Sequence, residues 1–305
     1  MKKDFLSSKD ISLDEIIEIF SLSFKLKKNR LKYNNFLKGK TIQMIFDKPS
    51  TRTKVSFYVA ISELGGMPLP IQSSELQLGR GETIEDTARV LSRYVHGIVI
   101  RTYDQENVEK LAKNFKYPVI NALTNYEHPC QALADVFTIY EVFKGFDIKL
   151  TFLGDFNNVA RSLFLMLSTL RVRELCFSGP VEFFDNDIEK DIHTLSGGYT
   201  RFYIEVDPKK AVKNSDIVYT DVWVSMGFEH QQAEKERMMI PYQVNFDLMS
   251  NVGKKAFFMH CLPAKRGREV TDDVIDSDFS IILEQAENRL HTQKALLLML
   301  YRNFV

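Results

Sequence analysis

The chain has 305 residues, and 40 Lys and Arg balance 40 Asp and Glu, so the formal net charge is zero. Only 14 residues are Gly and 9 Pro, well below the quarter or so of the chain that collagen-like or low-complexity proteins need; 45% hydrophobic and 26% charged residues match a soluble globular protein. Zero net charge argues against nucleic acid or an acidic membrane surface as the main partner.

Single cores stop growing near ~250–300 residues, so a chain of this length is expected to divide into two domains. Cys130, Cys176 and Cys261 are too few, and odd in number, for a disulfide framework, which points to a reducing compartment. Near the N-terminus, Asp14, Glu15 and Glu18 interrupt any apolar core of a secretory signal. No apolar run approaches the ~18–20 residues of a membrane span. The expected location is cytoplasmic, with no membrane partner.

Ile42–Phe46 reads as a strand and Val55–Leu64 as the helix after it. Gly97–Arg101 and Tyr117–Asn121 are the next strands. A helix from Pro129 places Ala132, Val136, Tyr140 and Phe143 on one face and stops at Lys144-Gly145. Further strands follow at Lys149–Leu153, Glu174–Phe177, Asp216–Thr220 and Ala256–His260, then a strongly apolar helix at Arg289–Tyr301. Continuous apolar strands separated by helices predict α/β architecture: two doubly wound parallel-sheet domains. The expected division is 1–143, 144–287 and 288–305, the last being a C-terminal helix packing back on the first domain.

Several turns carry polar chemistry. Ser50-Thr-Arg-Thr53 joins a strand to a helix, where hydroxyls, free N–H groups and the helix dipole favour an anion and Arg52 adds a bidentate fork. The plain alternative is an ordinary Ser/Thr cap beside a solvated Arg. The GxxxxGK[ST] spacing of a P-loop is absent. Arg101 ends its strand, where ligands of open α/β sheets gather, although a lone Arg there also reads as a surface charge. His128-Pro-Cys-Gln131 opens a helix with two polar side chains at its start; a capping histidine is the bland reading.

Leu153-Gly-Asp-Phe-Asn-Asn158 resembles a dinucleotide turn but lacks G-x-G-x-x-G, so its amides better suit a small polar substrate. Asp221 leaves its strand just before Ser225-Met-Gly227, which offers a hydroxyl and backbone N–H groups; the polar segment that follows reads as a solvated helix or a lid. At His260-Cys-Leu-Pro263, neighbours on an extended strand should point to opposite faces, and no second ligand cluster exists. No metal site is expected: His260 reads as a core histidine and Cys261 as the site candidate. Arg289, in Glu287-Asn-Arg289 at the expected opening of the final helix, reads alone as a surface residue.

Together, Ser50-Thr-Arg-Thr53, His128-Pro-Cys-Gln131, Asp221-Val-Trp-Val-Ser-Met-Gly227, His260-Cys-Leu-Pro263 and Ala286-Glu-Asn-Arg289 resemble the aspartate/ornithine carbamoyltransferase family, in order and from about Phe36 onward. The Ser-Met-Gly and His-Cys-Leu-Pro motifs look like its ornithine branch. The resemblance implies carbamoyl transfer from carbamoyl phosphate to the side-chain amine of L-ornithine, giving citrulline and phosphate, without a cofactor and in the setting of arginine biosynthesis. It implies that Ser50, Thr51, Arg52, Thr53, Gln77, Arg101, His128, Gln131, Cys261, Leu262 and Arg289 bind carbamoyl phosphate. Arg101, His128 and Cys261 would be catalytic. Asn158, Asp221, Ser225 and Met226 would bind ornithine. It further implies a homotrimer in which Gln77 reaches a neighbouring subunit's site. Three positions depart from the usual pattern: Lys54 for Arg, Tyr58 for Glu and Phe156 for Gly.

Overall fold

A computed structural model describes residues 3–72, 75, 81–185, 187–224 and 232–304. The chain forms two compact units, residues 1–137 with 287–305, and residues 138–286. It passes between them inside two helices, Pro129–Phe143 and Ile282–Tyr301.

Unit one holds a four-stranded parallel sheet in the order β2-β1-β3-β4. The strands are β1 (Thr41–Phe46), β2 (Met67–Gln72), β3 (Ile98–Arg101) and β4 (Val119–Leu123). Every residue of β3 and β4 is buried, as expected for strands covered on both faces. Ile45, Ile98 and Ile100 pack with Val108, Leu111 and Val119 in one core cluster. Unit two holds a five-stranded parallel sheet in the order β7-β6-β5-β8-β9. Its strands are β5 (Lys149–Leu153), β6 (Glu174–Ser178), β7 (Arg201–Ile204), β8 (Ile217–Thr220) and β9 (Phe257–Met259).

The α/β expectation is met, and all seven anticipated strands are present. The two strands that apolar runs did not reveal, β2 and β7, are both sheet edges. Half-covered strands need no continuous apolar run, and Pro68 and Pro70 are tolerated in β2 because a residue without an N–H costs least at an edge.

The final helix begins at Ile282, not near Arg289, so Arg289 lies inside it. Its later part belongs to unit one, as expected of a helix packing back on the first domain. There the buried Lys294 ammonium pairs with Glu63 at 2.9 Å and donates to the Arg30 carbonyl, and the Tyr301 hydroxyl donates to the His96 carbonyl at 2.8 Å.

Both sheets reverse their winding direction once, between β1 and β3 in unit one and between β5 and β8 in unit two. At such reversals the connecting segments leave in opposite directions, and a crevice opens beyond the strand C-termini. Ser50–Thr53 follow β1 at the start of the next helix, and Arg101 is the last residue of β3. The turns after β5 and β8 carry Gly154–Asn158 and Asp221.

Candidate active site

Unit one gathers cationic side chains around one imidazole. Ser50 caps the helix Thr51–Glu63, its hydroxyl accepting from the Thr53 N–H at 3.2 Å. Thr53, Arg101, His128, Gln131 and Arg289 are all buried. Arg289 uses both arms of its guanidinium: Nη1 donates to Gln131 Oε1 at 2.5 Å and Nη2 to Thr53 Oγ1 at 3.2 Å. One residue from the last helix thereby fixes the starts of two others through the two arms of its planar fork. Gln131 in turn donates to Asp135 at 2.7 Å, one helical turn away.

Burial first, then the charges of Arg289, Arg101 and Arg52, hold the His128 imidazole well below its usual pKa. His128 is therefore neutral at pH 7, a hydrogen-bonding group within the field of three arginines. The neighbouring Cys130 thiol is pushed up to about 12 by burial and is no nucleophile. Lys48, which sequence reasoning passed over, is also buried; its ammonium donates to Asn125 Oδ1 and lies 4.4 Å over the Tyr103 ring. Its place in the turn that leads to Ser50 was the available clue.

Unit two builds its polar site around Asp221. Asn157 caps the helix Asn158–Thr169, Oδ1 accepting from the N–H groups of Val159 and Ala160 at 2.9 and 3.1 Å. Its Nδ2 donates to Asp221 Oδ2 at 2.8 Å, and Cys261 Sγ contacts Asp221 Oδ1 at 3.1 Å. Asn157, read from the sequence only as one of two adjacent amides and not named among the ornithine-binding residues, is the asparagine that braces Asp221; Asn158 is the first helical residue beside it. Gly154 has φ +107°, and a Cβ there would come within 3.3 Å of the Trp223 ring, so the turn requires glycine.

The divergence expected of His260 and Cys261 does not occur. Side-chain atoms of Asp221, His260 and Cys261 lie within 4.8 Å of one another. Strand β9 stops at Met259, and the chain then turns, with Leu262 at φ 59°, so strand alternation no longer applies. His260 is fully buried, as a core histidine should be: Nδ1 accepts from the Leu262 N–H at 2.8 Å and Nε2 lies 3.3 Å from Glu269. It shapes the turn that presents Cys261.

The three departures do not remove a contact described above. Phe156 is buried against Phe164, Phe177 and Phe184, with ring centroids 5.7, 5.2 and 4.8 Å away, so it fills the core behind the turn. Tyr58 is exposed, and the Lys54 ammonium lies 6.0 Å over the Phe46 ring. Gln77, Ser225 and Met226 lie outside the described residues.

Family models match both units: the aspartate/ornithine carbamoyltransferase carbamoyl-P binding domain over residues 3–141, and the Asp/Orn binding domain over 146–300. The chain belongs to the aspartate/ornithine carbamoyltransferase family. Among similar proteins is the anabolic ornithine carbamoyltransferase of Pyrococcus furiosus, 49% identical over 306 residues, with 97% of this chain and 95% of the relative covered. A solved structure of ornithine carbamoyltransferase from the same organism superposes with a TM-score of 0.92 at 47% identity, covering 97% and 96% of the two chains. An anabolic ornithine carbamoyltransferase structure from Campylobacter jejuni gives 0.91 at 36% identity, covering 99% of each. The arginines around neutral His128 lie in unit one and the carboxylate of Asp221 in unit two, the units matched by the carbamoyl-P and Asp/Orn binding domain models respectively.

Proposed function

We propose that this carbamoyltransferase transfers the carbamoyl group of carbamoyl phosphate to the side-chain amine of L-ornithine, giving citrulline and phosphate. The observation that carries the reading is the convergence of Arg52, Arg101 and Arg289 on neutral His128. A dianionic phosphate fits three guanidinium groups and the helix start at Ser50–Thr53, and each charge-assisted hydrogen bond contributes roughly 1.5–3 kcal/mol. Gln131 and Arg289 hold that pocket together, with Thr51 and Thr53 as hydroxyl donors; Cys261 and Leu262 complete the set around carbamoyl phosphate. Asp221 takes the α-ammonium of ornithine, with Asn158, Ser225 and Met226 around the amino-acid end.

The attacking amine must be neutral, yet free it titrates near ~10.4, as Lys does. The site therefore takes the minor neutral form or removes a proton. Attack on the carbamoyl carbon makes a tetrahedral oxyanion. Arg101 supplies charge to it and His128 a neutral N–H, both held in place before reaction. The carbon–oxygen bond to phosphate then breaks, and the departing phosphate accepts the amine proton. The donor is already activated, so no covalent intermediate on the protein is required, and catalysis is positioning plus electrostatics.

The anabolic relatives support placement in arginine biosynthesis. Among the described residues no helix is long and apolar enough to cross a membrane, which fits a cytoplasmic enzyme. A homotrimer with shared sites is part of the reading. It is supported by the apolar surface that Val55, Tyr58, Met67 and Leu69 expose on the helix Thr51–Glu63 and the edge strand β2. Steady-state assay with carbamoyl phosphate against ornithine, acetylornithine, putrescine and aspartate tests the substrate. Ornithine should be carbamoylated far faster than the others, and preference for any other amine overturns the assignment.

A further inference from the structure

Beside Asp221 lies a second carboxylate with a partner of its own. Asp155, in the turn after β5, is paired with Lys235 at 2.7 Å, and both side chains are nearly enclosed, at 8% and 14% exposure. Lys235 comes from the helix Gln232–Met239, and its ammonium also lies 4.7 Å over the Phe183 ring. Asp221, by contrast, has two neutral partners, the Asn157 amide and the Cys261 thiol, and no cation within ion-pair distance among the described residues. Burial raises the Asp155 pKa, Lys235 opposes that, and the nearby charge of Asp221 adds to the rise. The group therefore holds two carboxylates and one ammonium. Its net charge of −1 resides on Asp221.

That charge count suits one ligand class. An α-amino acid brings an ammonium for Asp221 and a carboxylate that must sit close by. With Lys235 removed and Asp155 still ionised the pocket would carry −2, repelling the carboxylate and favouring a simple amine. With Asp155 neutralised it would carry zero, with the opposite bias. We propose that the Asp155–Lys235 pair is a specificity-determining element that sets the second substrate site to accept an amino acid over a diamine. This rests on the ornithine reading above. Neither residue touches the reacting atoms; both act through the charge around Asp221, as positioning residues.

The test uses two competitive inhibitors of the full-length enzyme. Norvaline is ornithine without its side-chain amine, and putrescine is ornithine without its carboxylate. Lys235→Met, assayed at mildly alkaline pH where the unpaired Asp155 is most fully ionised, should weaken norvaline about tenfold and leave putrescine equal or tighter, the size expected for one partly screened charge at close range. Asp155→Asn should do the reverse, weakening putrescine about tenfold and sparing norvaline. The double variant should return the ratio of the two inhibition constants to within about threefold of wild type. A pair that only braces the fold would weaken both inhibitors together in each single variant. That result, or a double variant that keeps the skewed ratio, overturns the proposal. If Lys235→Met does not fold, Asp155→Asn alone still decides, because selectivity must move in its stated direction. A wild-type enzyme that neither carbamoylates ornithine nor binds norvaline would overturn the functional reading and this one with it. Ornithine turnover with unmoved selectivity would overturn this one only.

Discussion

Substituting His128 by Gln tests whether three arginines face a buried neutral imidazole. In the unfolded chain this imidazole titrates near its ordinary value of 6.5, whereas burial and then Arg289, Arg101 and Arg52 hold it well below that in the fold. Acidification from about pH 7.0 to about pH 5.5 therefore protonates the unfolded chain more than the native site. The unfolded state binds more protons, so this position loses stability as pH falls through 6.5. One group titrated to about one pH unit below its unfolded pKa contributes a loss of up to about 1.2 kcal/mol over that interval. Gln cannot take up the proton, so His128→Gln lacks this loss. The measurement is urea unfolding followed by circular dichroism at both pH values and one fixed protein concentration. Taking the difference between the two proteins at each pH cancels the remaining titrating groups. The wild type should lose more than the variant, by up to about 1 kcal/mol. Parallel pH slopes would mean that His128 titrates alike in both states and that the cationic pocket is not built as described.

Arg52→Ala and Arg101→Ala should each lower kcat/KM by at least about 100-fold, since each removes charge from a developing anion; near-normal kinetics in both would separate these positions from carbamoyl phosphate. Phe156→Ala should destabilise the protein by about 3–5 kcal/mol while leaving KM for ornithine nearly unchanged, because the ring fills a core and not the site; equilibrium unfolding and initial rates read the two effects separately. Wild-type kcat/KM for ornithine should rise from neutral to mildly alkaline pH as the neutral amine fraction grows, and a flat profile would remove amine deprotonation from the mechanism. Arg52→Ala and Gln77→Ala subunits refolded together should recover activity in about one quarter of sites by random mixing; no recovery in confirmed hybrid trimers would confine Gln77 to its own subunit or to no site.

The strands legible in the sequence were those buried on both faces, because only they require unbroken apolar runs. Strands with mostly exposed side chains, such as Met67–Gln72 with its two prolines, obey no such rule, whereas the edge strand Val119–Leu123 is buried throughout and was legible. Motif residues were legible by type, and both sheets carry them at their reversal points. What the sequence concealed is pairing at a distance. Arg289 contacts Thr53 across 236 positions, and Asn157 reaches Asp221 across 64. His260 and Cys261 misled for a local reason: the strand ended one residue before them, and the turn at Leu262 brought their side chains to the same place.

The first unit is discontinuous, and this fixes an order of events during synthesis. Residues 138–286 are complete before any of 287–305 leaves the ribosome. Until then Glu63 lacks the Lys294 ammonium, the His96 carbonyl lacks the Tyr301 hydroxyl, and Thr53 and Gln131 lack Arg289. A nascent chain can settle the middle of its sequence while the earlier unit waits with buried polar groups still unmatched. The Thr53–Arg289–Gln131 contacts and the closure of that unit then arrive in one step, delivered by the same helix. On the proposed carbamoyl phosphate reading, competence to bind the donor substrate is a late event of chain maturation, and a chain stalled before residue 287 carries the Ser50–Thr53 turn without the guanidinium that joins it to Gln131.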